Sequence, residues 1–373
     1  MSKKVISAGH ICIDITPEFI NKECADVSGM FKPGKLIQTG KADIHTGGSV
    51  ANTGLALRIL GAEVELMGKV GNDDFGRIIL ERLRDYDVND SMIIAENEET
   101  SYSVVLAVPG IDRMFLHCPG CNNTFVFEDI DIEAVKDAAL FHFGYPPLME
   151  QMYINDGAEL KKMMEQIHEL DIATSMDMTA IDPSTKAGIQ NWDAILRNVL
   201  PYVDFFMPSA EELCYMLDKD RYESWQRRAN GDDVTLYLEP ETDLQPLAAK
   251  CIEYGAGVVI IKSGEPGMFY MTAGEERIRR ITHRIAINPL EWASLEGFEK
   301  SYVPDKVVSG TGAGDTSIAA FIAALLNNEK PDMCLKLATA TGALCVGSID
   351  ALSALVPLED IKAKINAGWG KRE

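Results

Sequence analysis

The sequence predicts an α/β protein with a mostly parallel central sheet and a second, smaller β-sheet. Three observations support this fold class. Short apolar runs typical of buried strands alternate with helical patterns, the last third of the chain is helical, and two strand-like runs surround a Pro-Gly turn. Strands joined through long helical segments form βαβ units, whose strands lie parallel.

The expected elements follow one another along most of the chain. The predicted buried strands are residues 5–7, 64–67, 140–143, 172–176, 205–207 and 258–261. The predicted helices are residues 50–60, closed by Gly61, then 159–170, 316–326 and 333–346. This order is typical of one large α/β core.

Three regions depart from that rhythm. Residues 15–45 are irregular and polar, and residues 101–117 resemble two strands around a turn. We expect these regions to form a small sheet that covers the core as a lid. The expected lid is residues 15–45 and 101–125, and the expected core is residues 1–14, 46–100 and 126–373. Residues 283–304 are long for a connection, so we expect them to be functional or mobile.

Charge and composition exclude several classes of partner. The chain has 373 residues with 35 Lys and Arg against 57 Asp and Glu, for a formal net charge of −22. Nucleic acid and anionic membranes need a positive footprint, so neither is an expected partner. We also expect no signal peptide, because His10 and Asp14 interrupt the apolar residues near the N-terminus. We expect no membrane helix, because no apolar run approaches ~18 residues. The eight scattered cysteines favour a cytoplasmic location.

A glycine-rich loop, Gly310-Thr-Gly-Ala-Gly-Asp315, runs directly into a predicted helix. A tight turn alone would explain the glycines. The following helix, however, adds unpaired amides and the positive end of its dipole, which together can bind an anion. Asp315 would be held ionised at that helix start, which suits a general base that takes a proton from an alcohol.

Other glycine motifs fit this loop less well. A Walker loop carries Lys and then Ser or Thr after its last glycine, whereas Asp315 stands here. A dinucleotide fingerprint reads G-x-G-x-x-G after a first strand, whereas this loop reads G-x-G-x-G near the end of the chain. Phosphoryl transfer is therefore favoured over hydride transfer.

The loop resembles the C-terminal signature of the ribokinase-like (PfkB) carbohydrate kinases. The N-terminal signature of that family is matched by Gly-Gly-Ser-Val-Ala-Asn at residues 47–52, by Gly68, and by Val-Gly-Asn-Asp-Asp-Phe-Gly at residues 70–76. The resemblance covers nearly the whole chain in the right order. It implies a ribokinase-like three-layer α/β/α core with a small β-sheet lid.

The resemblance implies which residues would catalyse the transfer and which would bind the acceptor. Asp315 would be the catalytic base, and the amides of Gly312, Ala313 and Gly314 would form the anion hole. The residues that would bind the acceptor are Asp14, Gly47, Gly48 and Asn52. Carboxylates can accept hydrogen bonds from vicinal hydroxyls, and an Asn in an apolar helix needs a partner, so the residue types agree.

The nucleotide side is implied in the same way. Its residues would be Lys262, Ser263, Gly264, Gly267, Thr311 and Thr339. Lys262 is explained equally well as a solvated lysine at a strand end. Glu212 would organise Mg²⁺, largely through water, although Ser209 replaces the asparagine that the family places three residues earlier.

The expected function is ATP-dependent phosphorylation of a hydroxymethyl group of a neutral sugar or sugar-like compound. Mg²⁺ would be required, while a monovalent cation stays open because Ser309 stands where the family has an aspartate. Residues 177–183 lack the arginine of many sugar kinases, so a sugar phosphate is a less favoured acceptor. Arg113 and His117 are the basic candidates in the lid, and each is explained equally well as solvated. A homodimer through the lid is also expected.

Two alternatives stay open. A nucleoside kinase of the same superfamily would need an aromatic acceptor pocket, for which Phe115, Phe125, Phe143 and Tyr145 could supply rings. A non-catalytic sugar sensor would keep the pocket and lose transfer; Ser209 and Ser309 are the features in its favour. Binding without turnover would separate a sensor from an enzyme.

Overall fold

The computed structural model describes residues 3–20, 30–108, 113–281 and 284–372. Parts of the expected lid (21–29 and 109–112), with the Pro-Gly turn inside it, and His283 at the start of the 283–304 segment lie outside these residues. None of the described helices is long and apolar enough to cross a membrane.

The described strands are short, and most are apolar. They are β1 (Val5–Gly9), β2 (Cys12–Phe19), β3 (Thr39–Gly47), β4 (Val64–Met67), β5 (Lys69–Gly71), β6 (Asn89–Asp90), β7 (Ile93–Ala95), β8 (Tyr102–Leu106), β9 (Met114–Cys118), β10 (Leu140–Gly144), β11 (Ala173–Met176), β12 (Phe205–Phe206), β13 (Val258–Lys262), β14 (Gly267–Thr272) and β15 (Glu296–Lys300).

The helices fall between these strands and after them. They are α1 (Ser49–Ile59), α2 (Asp74–Arg84), α3 (Ile132–Lys136), α4 (Glu150–Tyr153), α5 (Ala158–Glu169), α6 (Trp192–Val199), α7 (Ala210–Leu217), α8 (Lys219–Ala229), α9 (Gln245–Glu253), α10 (Glu275–Ile278), α11 (Pro289–Trp292), α12 (Ala313–Leu326), α13 (Pro331–Cys345) and α14 (Leu358–Asn366).

Within the described residues the central sheet has nine strands in the order β15-β14-β13-β12-β11-β10-β1-β4-β6. All pairs from β13 to β6 are parallel, and β14 and β15 add an antiparallel edge. A separate four-stranded sheet has the order β3-β2-β8-β9, and β5 pairs with β7. The predicted fold class, a mostly parallel sheet with a second small sheet, is confirmed.

The central sheet is covered on both faces by apolar helices. Val5 and Leu140 belong to one core cluster, together with the buried residues of α1, α12 and α13. Ile6 and Phe141, the next residues along β1 and β10, belong to a second cluster with α5, α6 and α9. Because successive residues of a strand point to opposite faces, continuous apolar strands bury both sides and produce three layers.

The structure adds detail in two regions that depart from the regular pattern. Part of the region 15–45 lies in strands β2 and β3 of the small sheet, whose polar residues fit a sheet with one solvated face. Residues 283–304, expected to be functional or mobile, include α11 and the edge strand β15 in their described part. Trp292 of α11 is buried and packs edge-on against Phe205 and Phe321, at ring-centroid distances of 6.4 and 6.1 Å.

This packing predicts that Trp292→Ala lowers the free energy of unfolding by about 3–5 kcal/mol, because a large buried ring is removed. Leu290→Ala is the matched control, since Leu290 lies on the same short helix with its side chain exposed. It should change stability by less than about 0.5 kcal/mol. Urea denaturation measures both, and a Trp292→Ala protein as stable as the control would show that this segment is not part of the core.

Candidate active site

A cavity of about 980 Å³ lies at the carboxyl ends of the parallel strands. Three residues at strand ends line this cavity. Tyr145 directly follows β10, Asp177 directly follows β11, and Lys262 is the last residue of β13. The first turn of α12 forms another wall. In open α/β sheets the carboxyl edge is where ligands bind, because helix N-termini and loops meet there.

The glycine loop shapes the start of α12. Gly312 caps the helix with φ of 76°, and a Cβ at this position would lie 2.2 Å from the Cβ of Ala351, so only glycine fits. The helix begins at Ala313, three residues before the predicted start at 316, because this cap and the small residues after it allow an earlier turn. Asp315 therefore lies within the first turn.

The amides expected to form the anion hole differ in their surroundings. Ala313 N–H donates to Gly310 O at 3.3 Å, and Thr316 N–H closes a helical bond to Gly312 O at 2.9 Å. The first-turn amides of Gly314 and Asp315 have no acceptor one turn earlier in the helix. Gly312, Ala313 and Gly314 all line the cavity. Because the Ala313 amide already has an acceptor, the Gly314 amide is better placed than that of Ala313 to bind an anion.

Asp315 is a buried carboxylate held by two neighbours. Asn52 Nδ2 of α1 donates to Asp315 Oδ2 at 2.9 Å, and Tyr145 Oη donates to both carboxylate oxygens at 2.8 Å. Burial raises the pKa of Asp315 above its ordinary value, while Lys262 and the hydrogen bonds from Asn52 and Tyr145 oppose that rise. A carboxylate with a raised pKa, oriented by two donors, is suited to accept a proton from an alcohol.

Tyr145 is a site residue that sequence reasoning placed only among possible rings of a nucleoside pocket. It has φ of 66°, a left-handed conformation that is uncommon outside glycine. Two prolines follow it and begin a short 3₁₀ turn. The position of Tyr145 at a strand end, just before two prolines, was the feature of the sequence that could have indicated a site residue. Nothing in the sequence, however, indicated that Tyr145 contacts Asp315.

The side chain of Lys262 is only 11% exposed, which excludes the alternative of a solvated strand-end lysine. Its Nζ lies 2.6 Å from Asp177 Oδ1. A Cβ atom added to Gly314 would lie 3.5 Å from the same Nζ, so the lysine is close to the start of α12. Burial lowers the pKa of Lys262, but Asp177 and Glu212 outweigh it and raise that pKa, so Lys262 remains an ammonium. The lysine thus places a positive charge beside the start of α12.

Asp177 was not assigned from the sequence. It follows β11 directly, and burial raises the pKa of its carboxyl while Lys262 lowers it. A carboxylate immediately after a buried parallel strand was the signal that could have found it. Asp177 holds Lys262 in place.

Glu212 lines the cavity and also caps α7. Ser209 N–H donates to Glu212 Oε2 at 2.8 Å, and Glu212 N–H donates to Ser209 Oγ at 3.4 Å. Ser209 thus forms a capping box with Glu212, which positions that carboxylate. Among the described residues there is no cluster of three side chains able to ligate a metal ion. A single oriented carboxylate fits a Mg²⁺ ion that is bound mainly by phosphate oxygens and water.

The remaining residues expected on the nucleotide side divide into two groups. Gly264, Gly267 and Thr339 line the cavity. Ser263 and Thr311 are absent from its described lining: Ser263 is buried and donates its N–H to Gly267 O at 2.9 Å, and Thr311 N–H donates to Ser309 Oγ at 3.1 Å. Both support the backbone of the turns around the cavity.

The residues expected on the acceptor side are absent from the described lining of the cavity, and one of them, Asn52, contacts Asp315. A Cβ on Gly47 would lie 2.3 Å from Asp14 Oδ2, and a Cβ on Gly48 would lie 2.6 Å from His10 Nδ1, so the two glycines make room for these side chains. Burial raises the pKa of Asp14. Asn52 joins this group to the cavity through its bond to Asp315.

Comparison with known proteins agrees with this architecture. The model of the pfkB family of carbohydrate kinases matches residues 3–357. Fructokinase-2 of Zea mays is 24% identical over 385 residues, covering 97% of this chain and 95% of its own. Arabidopsis thaliana ribokinase, solved with ribose and ATP, is similar at a TM-score of 0.71 and 20% identity, with 97% of this chain and 98% of that chain covered.

The nucleoside kinase of Methanocaldococcus jannaschii has the same fold, with a TM-score of 0.64, 16% identity, and coverage of 98% of this chain and 100% of its own. These structures show the ribokinase fold, and the match to the family model gives the class as phosphotransferases with an alcohol group as acceptor. Within that class, the chain belongs to the PfkB family of carbohydrate kinases.

The buried Lys262–Asp177 pair predicts a non-additive effect on stability. Lys262→Met should lower the free energy of unfolding by about 3 kcal/mol, because it leaves a buried carboxylate unpaired. Adding Asp177→Asn to Lys262→Met should restore at least half of that loss, because the unpaired charge is gone.

The matched control is Lys186→Met, which breaks an ion pair with Glu150 in which the lysine is 69% exposed. It should cost less than about 1 kcal/mol in denaturant titrations. Strictly additive effects of Lys262→Met and Asp177→Asn would contradict the pairing.

Proposed function

We propose that this protein transfers the γ-phosphoryl group of ATP to a hydroxymethyl group of a neutral sugar or sugar-like compound. The observation that carries this proposal is the Asp315 carboxylate, oriented by Asn52 and Tyr145 at the wall of the cavity and placed in the first turn of α12. A base and an anion site thus lie within one helical turn, as in-line phosphoryl transfer requires.

In this reaction Asp315 accepts the proton of the attacking hydroxyl as the bond to phosphorus forms. The Gly314 amide, the positive end of the α12 dipole and Lys262 stabilise the charge on the phosphoryl oxygens. Asn52 keeps the carboxylate aligned. Asp14, Gly47 and Gly48 hold the acceptor so that its hydroxymethyl group faces Asp315.

Charge balance supports a nucleotide bound with Mg²⁺. Lys262 is surrounded by three carboxyl groups, Asp177, Glu212 and Asp315, all close enough to influence its pKa. One lysine does not balance both these groups and a triphosphate. Mg²⁺ would supply the missing positive charge, and Glu212 would face its hydration shell. Gly264, Gly267 and Thr339 would line the rest of the nucleotide site, with Ser263 and Thr311 behind it.

The small sheet of β2, β3, β8 and β9 would act as the lid over the acceptor, excluding water from the transfer. Its outermost strands in the described residues are β3 and β9, which carry the exposed side chains of Ile44, Phe115 and Leu116. Exposed apolar strand edges favour pairing with a second copy, so a homodimer through the lid belongs to the same proposal.

The rings available to a nucleoside acceptor are fewer than the sequence suggested. Phe125 and Phe143 are fully buried in the second core cluster, with ring centroids 6.3 Å apart. Phe115 is more than half exposed, and Tyr145 is bonded to Asp315. This arrangement supports a sugar over a nucleoside as the acceptor.

Asp315→Asn should lower kcat at least ~10³-fold with nearly unchanged acceptor affinity, because the base acts only in the transition state. ADP release with Mg·ATP across neutral sugars, polyols and nucleosides measures this, with acceptor binding followed by calorimetry. A fall of less than tenfold would place the base elsewhere. Acceptor binding without turnover by the unaltered protein would instead support a sensor.

The pH dependence of kcat tests the role of Tyr145. Its hydrogen bonds stabilise the ionised form of Asp315 and lower the pKa of that carboxyl. Tyr145→Phe therefore raises this pKa, and since the base works ionised, the acidic limb of the kcat profile should move to higher pH. Tyr153→Phe, which alters a tyrosine packed against Trp192, is the control. An acidic limb that stays in place or moves to lower pH would refute the assignment.

A further inference from the structure

Four polar residues form one row across the small sheet. His45 of β3 is the register partner of Asp14 of β2, Asp14 is the partner of Ser103 of β8, and Ser103 is the partner of His117 of β9. Paired residues of neighbouring strands point to the same face, so the row is a continuous polar strip. Ser103 Oγ lies 3.0 Å from His117 Nδ1 and also interacts with Asp14.

A fifth polar residue meets this row from the core. His10 follows β1, is 1% exposed, and its ring centroid lies 5.2 Å from that of His117. Both ring nitrogens of His10 and Nε2 of His117 are buried without a hydrogen-bond partner. Buried polar groups are nearly always paired, so three unpaired imidazole nitrogens in one place indicate a missing partner.

The position of these nitrogens connects them to the transfer site. The ring centroid of His10 is 6.1 Å from that of Tyr145, whose hydroxyl is bonded to Asp315. Gly48, one of the two glycines beside α1, lacks a Cβ where His10 Nδ1 lies. His10 and His117 therefore belong to one chain of contacts, in which His10 packs against Tyr145 beside Asp315, and His117 contacts Ser103 beside Asp14.

We propose that His10 and His117 form a pair of neutral imidazoles that binds hydroxyl groups of the acceptor, one from the core and one from the small sheet, and so determines which acceptor is used. This inference rests on the proposed kinase function and names two specificity-determining residues for it. It also replaces the expectation that His117 is as well explained by solvation.

The chemistry of the pair favours hydroxyl groups. Burial lowers the pKa of both imidazoles, so each is neutral near pH 7 and offers one N–H donor and one nitrogen acceptor. A hydroxyl group is likewise both donor and acceptor, so it can satisfy either nitrogen. An anionic group would gain no charge pairing from neutral rings and would face Asp14. The pair therefore suits an acceptor with several hydroxyl groups, at least one facing His10 of the core and another facing His117 of the small sheet.

The test combines ring replacement with removal of single hydroxyls from the acceptor. His10→Phe and His117→Phe keep a planar ring and remove both nitrogens. His168→Phe is the control. His168 lies on α5, where its ring packs against Tyr202, and α5 leads into the amino end of β11, whereas the cavity lies at the carboxyl ends of the strands. Acceptor KM and kcat are measured with D-fructose, D-ribose and the single-deoxy analogues of whichever is the better substrate, and thermal unfolding checks that each variant is folded.

Each variant should raise the KM of the better sugar about tenfold with kcat changed less than about threefold, the effect of one lost hydrogen bond. For the analogue that lacks the hydroxyl bound by the altered histidine, KM should be the same in variant and unaltered protein. If one variant does not fold, the other still decides. KM values within twofold of the control in the folded variants, or an equal loss with every analogue, would overturn the proposal.

The outcome is separable from failure of the kinase function. If the unaltered protein releases no ADP with either sugar, calorimetric titration of the sugars replaces KM. Weaker binding to the histidine variants than to His168→Phe would support the pair although the kinase function had failed. Equal binding to all three variants would overturn the pair.

Discussion

The structure around the site depends on the burial of the Asp315 carboxylate. Removing a carboxylate from water costs several kcal/mol unless donors replace the lost hydration. Asn52 of α1 and Tyr145 at the end of β10 supply those donors. The hydrogen bonds to Asp315 therefore connect α12 to α1 through Asn52 and to the end of β10 through Tyr145. The same contacts orient the carboxylate and only partly offset the rise in its pKa that burial causes, a combination that suits the proposed general base.

A second constraint is the shortage of positive charge. Lys262 is held by Asp177 beside Gly314, and two more carboxyl groups lie nearby. The N-terminus of α12 and its backbone amides add partial positive charge without a further basic side chain. This matters in a chain with a net charge of −22, where basic residues are outnumbered. In the proposed function, the phosphate site would consist of backbone amides and the Lys262 ammonium, and a metal ion bound with the nucleotide would supply the further neutralisation.

The fold and the position of Asp315 at a helix start could be predicted because they depend on local patterns. Apolar runs determine β1, β10 and β13, and the small residues before Asp315 determine a helix start. The partners of the site could not be predicted, since they depend on which strand ends meet. Tyr145 and Asp177 follow successive strands, but their partners Asp315 and Lys262 lie 170 and 85 residues further along the chain, and only the folded sheet brings them together. The row from His45 to His117 likewise depends on the register of the small sheet, which no single strand sequence specifies.

The most direct test of the account is the stoichiometry of the reaction. The protein would be incubated with Mg·ATP and D-fructose or D-ribose, and ADP, inorganic phosphate and sugar phosphate would be quantified by mass spectrometry and phosphorus NMR. The account predicts one sugar phosphate for each ADP, with the phosphoryl group on a hydroxymethyl oxygen and almost no inorganic phosphate. ADP formed only with inorganic phosphate, or phosphorylation of a ring hydroxyl, would contradict it.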